Sequence, residues 1–179
     1  MSSLTVQNIQ GSASSSNTIN VASGHKINGN VTHGTGSVFP AGHIVQVKEE
    51  NLTTQFSTTS TSFTNVGLQL QITPTSSSNK ILLLANFSLY INSAFIYVTI
   101  NKNHSGIGDT NLEIQSSQGL CQLHAGGGNQ GIPSSIGILD SPATTNEVTY
   151  NLKMKVQSGT GYFNINTSPA FFRGLEVVA

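Results

Sequence analysis

The chain has one cysteine, Cys121, no tryptophan, and only 8% charged residues among its 179, where an average globular protein carries about 25%. Each shortage excludes something. A lone cysteine forms no intrachain disulfide, so stability has to come from packing or from other copies of the chain. Seven cations balance seven anions, and without a basic excess the sequence predicts no nucleic-acid partner and no anionic membrane surface. No apolar run approaches the roughly 20 residues that span a bilayer, so no membrane insertion is expected. Met1-Ser2-Ser3-Leu4-Thr5-Val6-Gln7 lacks the basic region and apolar core of a signal peptide, and export by a classical route is not expected. Nor does any segment suggest a helix longer than a turn.

What is abundant is small and polar: Ser, Thr, Asn and Gly supply 79 of 179 residues, a surface wetted by hydroxyls and amides. Against this background the alternation in Glu147–Gln157 stands out. Val148, Tyr150, Leu152, Met154 and Val156 fall on every second position with Thr149, Asn151, Lys153, Lys155 and Gln157 around them, the pattern of a strand with one buried and one wet face. Lys153 and Lys155 on the wet face suit either the charged guard of an edge strand or a surface toward a neighbouring subunit. Leu68, Leu70 and Ile72 alternate with Gln69 and Gln71, and Ile81–Leu89 opens as a continuous apolar run, as a strand buried on both faces would. Phe95–Ile100 is β-branched and aromatic, ending at an Asn101-Lys102-Asn103 turn. Further strands are expected at Ile44–Lys48, Asn111–Gln115, Leu120–Leu123, Ser135–Leu139, Tyr162–Asn166 and Phe172–Val178, with Gly174 a candidate bulge. About eight to ten short antiparallel strands separated by turns such as Thr73–Asn79 and Asp140-Ser141-Pro142 predict an all-β, jelly-roll type sandwich.

The organisation is two-part. Residues 1–43 carry scattered apolar positions among Gly- and Ser-rich turns, too few for a core of their own, since fragments of about 40 residues or fewer usually need metals, disulfides or oligomerisation. They read as an extended, β-rich attachment or stalk segment, and residues 44–179 as the sandwich. Ala22-Ser23-Gly24-His25-Lys26-Ile27 is echoed by Pro40-Ala41-Gly42-His43-Ile44, a Gly-His turn followed by the aliphatic start of a strand.

Constellations that carry catalysis are missing from the pattern, and the chain is expected not to be an enzyme. Asp109, Glu113, Asp140, Glu147 and Glu176 are scattered, and Glu49-Glu50 point to opposite faces of a strand, so no two acids are set to converge on a glycosidic bond. Cys121 beside Leu120 and Leu123 reads as a small buried residue rather than a nucleophile paired with His124. His25, His33 and His43 lack the close spacing of a single-chain zinc site, although one histidine per chain would meet two others on a trimer axis. Gly126-Gly127-Gly128 lacks the lysine and helix start of a phosphate loop. No metal and no cofactor are predicted.

The order of motifs resembles a family. The leader Ser3–Gln10, then Phe39-Pro40-Ala41-Gly42-His43-Ile44-Val45-Gln46-Val47, then Phe63–Leu82 with its Ile72-Thr73-Pro74 turn, then Leu139–Thr145 and the ending Leu175–Ala179, are similar to small structural proteins of tailed bacteriophages of aquatic bacteria. Ser105–Pro133 departs from that pattern. The resemblance implies a tail-fibre-like or surface-decoration component of the virion, with a C1q-like jelly roll and a homotrimeric state. Two functions follow from it. In one, a trimeric fibre or spike is held to tail or capsid proteins through Leu4, Val6 and Ile9 in the leader, and its jelly roll meets a host-surface glycan by multivalent binding. In the other, the trimer is a decoration or cement protein on the head lattice. A free carbohydrate-binding module is a third reading, which the core-poor leader does not explain. Polar loop tips on a rigid sandwich commonly carry recognition, which nominates His104, Asp109, Asn111, His124, Asn129 and Gln130 as ligand contacts.

Overall fold

The computed structural model describes residues 39–91, 94–105, 107–112, 117–125, 130–165 and 168–179. Phe39–Ala179 forms a compact unit, and its described residues contain eleven strands and no α-helix. Numbered in chain order, one sheet runs β1 (Ile44–Leu52), β11 (Ala170–Val177), β4 (Lys80–Ile91), β10 (Gly161–Phe163) and β2 (Phe56–Thr58), with β8 (Gln130–Asp140) also on β4. The other runs β3 (Thr64–Ile72), β9 (Val148–Val156), β5 (Ala94–His104) and β6 (Ile107–Leu112), with β7 (Cys121–Ala125) also on β5. All pairings are antiparallel. The expected all-β sandwich is the fold observed, and β2, three residues paired with β10, is the strand the sequence did not announce.

The core lies between the sheets. β9 buries Val148, Tyr150, Leu152, Met154 and Val156 against Ile81, Leu83, Leu89 and Ile91 of β4 and Leu70 and Ile72 of β3, all essentially solvent-free. β4 alternates more strictly than its composition suggests. Its inward residues are buried while Leu82 and Leu84, pointing outward, are only half-buried, so the apolar run marks an apolar outer face and not a strand covered on both sides. On the opposite strand Gly174 is no bulge: the register runs unbroken through Lys48, Gly174 and Leu83. A Cβ there would sit 2.7 Å from Leu70 Cδ2, so the glycine lets the two sheets approach closely at this point.

Asp140 and Glu176 are buried on inward faces, and both carboxylates are hydrogen-bonded. Lys102 Nζ lies 2.8 Å from Asp140 Oδ1, and the Tyr150 hydroxyl donates to Asp140 Oδ2 at 2.7 Å. Burial, reinforced by the Asp140 carboxylate, pushes the Tyr150 hydroxyl far above its ordinary range. Glu176, fully buried at the end of β11, accepts from Thr75 N at 2.7 Å, Thr75 Oγ1 at 2.8 Å, Asn79 Nδ2 at 2.7 Å and Gln46 Nε2 at 2.5 Å. That carboxylate pins the Thr73–Asn79 turn and the edge strand β1 to the body of the sandwich.

Two expectations about the second sheet are corrected. β5 does not stop at Ile100 but continues to His104, because Lys102 finds Asp140 inside and Asn103 finds Asp109 outside. Lys153 and Lys155 do not guard an edge: β9 has β3 on one side and β5 on the other. Alternation fixes which face is buried and leaves the neighbours open. The Gly-His turn before β1 is present, with His43 N donating to the Pro40 carbonyl at 3.1 Å and the His43 ring stacked on Phe39. Its earlier echo at Gly24-His25 lies outside the described residues.

Candidate functional site

The outer faces of the two sheets are built alike and filled differently. In an antiparallel pair, residues opposite one another share a face and touch. On the first sheet, Val47, Leu175, Leu82 and Leu139 pair in sequence across β1, β11, β4 and β8. Val47 is 58% and Leu139 50% exposed, so an aliphatic row crosses four strands in the open. On the second sheet the corresponding row is Gln69, Asn151, Asn101 and Asn111, across β3, β9, β5 and β6. It is a row of carboxamides.

Beside that amide row lies a cleft of about 530 Å³, lined by Phe63, Asn101, Asp109, Asn111, Lys153 and Lys155 with hydroxyls from neighbouring turns. Its walls are fixed from several directions. Val156 N donates to the Ser60 carbonyl at 2.9 Å and Ser60 Oγ donates to the Ser62 carbonyl at 2.7 Å, which holds the segment before β3 against β9. Gly119, at φ 73°, brings the next turn so close to β5 that a Cβ would lie 2.5 Å from the Val98 carbonyl oxygen and 3.3 Å from the Phe63 ring; Leu120 N donates to that same carbonyl at 2.8 Å. Only glycine fits there.

The charges in the cleft are unequal in their commitments. Asp109 accepts from Asn103 Nδ2 at 2.8 Å and lies 3.2 Å from Lys153 Nζ. The Asn103 hydrogen bond first, and Lys153 second, hold its carboxyl below the usual range, so it stays ionised. Lys155 has its ammonium 4.6 Å from the centre of the Phe63 ring and 5.1 Å from that of Tyr97, a cation–π position. Among the described residues no carboxylate pairs with it. Tyr97 continues into an aromatic run, stacked on Phe95, which stacks on His124 at 4.1 Å. Asn101 is 2% exposed, donates through Nδ2 to Asn111 Oδ1 at 3.1 Å, and keeps its own Oδ1 buried without a hydrogen-bond partner. Unsatisfied buried acceptors are rare enough to call for an explanation.

The sequence-nominated residues separate on this map. Asp109 and Asn111 line the cleft. His124 is exposed on the same sheet face, but in strand β7 paired with Phe95 and not at a loop tip. His104 is no tip either: 8% exposed, it ends β5 on the inward face opposite Val148, with Nδ1 3.2 Å from the Ser105 carbonyl oxygen and Nε2 buried without a partner. Gln130 opens β8 opposite Ile91. Asn129, Leu4, Val6 and Ile9 lie outside the described residues. Sequence reading missed Asn101, Lys155 and Phe63 as a group, because they come from β5, β9 and the segment before β3. Cys121 is half-buried against the core, and burial pushes its thiol up, the opposite of what a nucleophile needs. Among the described residues no group of three or more His, Cys, Asp or Glu is placed to hold a metal, and no helix is long and apolar enough to cross a membrane.

No family model matches the chain, and no curated protein does. Solved structures align only loosely. A chain of the infectious bursal disease virus Gx strain structure aligns over 85% of this chain and 43% of its own, at 10% identity and a TM-score of 0.37. The VP2 subviral particle of the same virus aligns over 85% and 42%, at 10% identity and a TM-score of 0.34. A CBM4 structure aligns over 70% and 80%, at 8% identity and a TM-score of 0.19. The chain therefore spans less than half the length of the viral chains it aligns with, and overlaps this weak carry no weight for function.

Proposed function

We propose that the protein is a structural component of a tailed bacteriophage particle, a homotrimeric fibre or spike without enzymatic activity. Its outer face on the second sheet meets a glycan on the host surface. The observation that carries the reading is the row of carboxamides Gln69, Asn151, Asn101 and Asn111 ending in the cleft. A rigid sheet presenting carboxamides beside aromatic rings offers donors, acceptors and a flat apolar wall, which hydroxyl-rich ligands use. The resemblance in motif order supports the virion setting, with residues 1–43 as the attachment segment. Weak contacts at three identical tips gain strength through effective concentration.

A second reading, a decoration protein on the head lattice, is favoured by the exposed aliphatic row Val47, Leu175, Leu82 and Leu139, since contiguous exposed apolar surface marks association. Gold-labelled antibody on intact particles tests the two together. Label on tail or fibre tips, with adsorption to host cells inhibited by the purified protein, is the expected result; label spread over the head with no inhibition supports decoration instead.

A further inference from the structure

Taking the cleft as a saccharide contact, we infer that its ligand is an acidic oligosaccharide: a sugar carboxylate rests on Lys155 and sugar hydroxyls meet the amide row at Asn111, which the buried Asn101 positions through its Nδ2 hydrogen bond. The two lysines of the cleft are not equivalent. Lys153 is committed to Asp109 at 3.2 Å. Lys155 is held over two rings with no carboxylate among the described residues, and an ammonium with three donors keeps hydrogen-bonding capacity beyond those ring contacts. The cleft as a whole carries one more cation than anions, in a protein whose net charge is zero.

Position sets the length of the ligand. Lys155 pairs with Tyr97, and Asn101 lies four residues further along β5, about 13 Å at 3.3 Å per residue. A single sugar ring does not reach from one to the other, whereas a short oligosaccharide does. Charge density sets its class. The ionised Asp109, bonded to Asn103 two residues beyond Asn101, opposes at the amide end of the cleft a closely charged polyanion such as a phosphate chain, while a saccharide with one carboxylate per repeat places its charge at Lys155 and its hydroxyls at the amides.

The test is calorimetric titration of the full-length protein with a panel of uronate- and sialate-bearing oligosaccharides, each alongside its carboxyl-reduced, neutral counterpart. At least one acidic member should bind, its reduced counterpart should bind about tenfold more weakly, as loss of a hydrogen-bonded charge implies, and salt should weaken only the acidic form. Lys155→Met should erase the difference and Lys155→Arg should keep it, while Asn101→Ala should weaken both forms; thermal unfolding checks that each variant is folded. Equal binding of acidic and reduced forms would overturn the acidic assignment and leave saccharide contact standing. Binding of no member by the folded protein would overturn both.

Discussion

The two outer faces share one construction, a register row across four strands, and differ in what occupies it: Val47, Leu175, Leu82 and Leu139 on one sheet, Gln69, Asn151, Asn101 and Asn111 on the other. Neither row is needed to close the core, which is filled by the inward residues of both sheets. The difference teaches that the sandwich separates its tasks: stability resides between the sheets, an apolar outer face suits a flat protein neighbour, and an amide outer face suits a hydrated ligand.

If that separation holds, the largest losses of stability come from beneath the faces. Asp140→Ala leaves Lys102 buried without its counter-charge and Tyr150 without its acceptor, and chemical denaturation should show a loss of about 3 kcal/mol or more. Glu176→Gln comes next. Its amide turns a donor toward groups that are themselves donors, costing about 1–3 kcal/mol. The same residue predicts a pH dependence. Burial alone would raise the Glu176 carboxyl, but hydrogen bonds from Asn79, Gln46 and Thr75 outweigh it and hold the group below its ordinary range. A depressed carboxyl stabilises the fold above the unfolded-state value, about 4.3, and that contribution is lost as pH falls through the lower folded-state value. Acid titration of the unfolding midpoint should therefore fall more steeply for the wild type than for Glu176→Gln.

Substitutions on the faces should do the reverse. Val47→Glu with Leu139→Glu should change unfolding stability by no more than about 0.5 kcal/mol per site, yet reduce incorporation into particles, measured by immunoblot of purified virions, if the aliphatic row is an assembly face. Lys153→Met has the smallest expected effect, within about 0.5 kcal/mol, because its pair with Asp109 is 59% exposed on the aspartate side and screened by solvent. A large loss from either surface change, or none from Asp140→Ala, would break the comparison.

How much of this was legible in the sequence depends on whether one strand suffices to see it. The alternation of Val148–Val156 announces β9 and its buried face, and the turn residues of Thr73–Asn79 announce the entry to β4. Partners are another matter. Lys153 and Lys155 look like guards of an edge until β3 and β5 are placed on either side. Asp140 looks like turn chemistry before Pro142, and only the pairing of β8 with β4 turns it inward toward Lys102. Asn101-Lys102-Asn103 reads as a turn because amides and a lysine rarely continue a strand, and each side chain has its partner on another strand, Asn111 and Asp109 on β6 and Asp140 on β8. The cleft was half visible: Asp109 and Asn111 stood out as polar residues near a turn, while Asn101 and Lys155 acquire their roles from register.

Adsorption of particles to host cells, in competition with the purified full-length protein, tests the central claim most directly. The wild-type protein should block adsorption in a dose-dependent way, and the folded Asn101→Ala, Lys155→Met double variant should fail to block at the same concentrations. Equal blocking by the two proteins, or none by either, would contradict a host contact on the amide face.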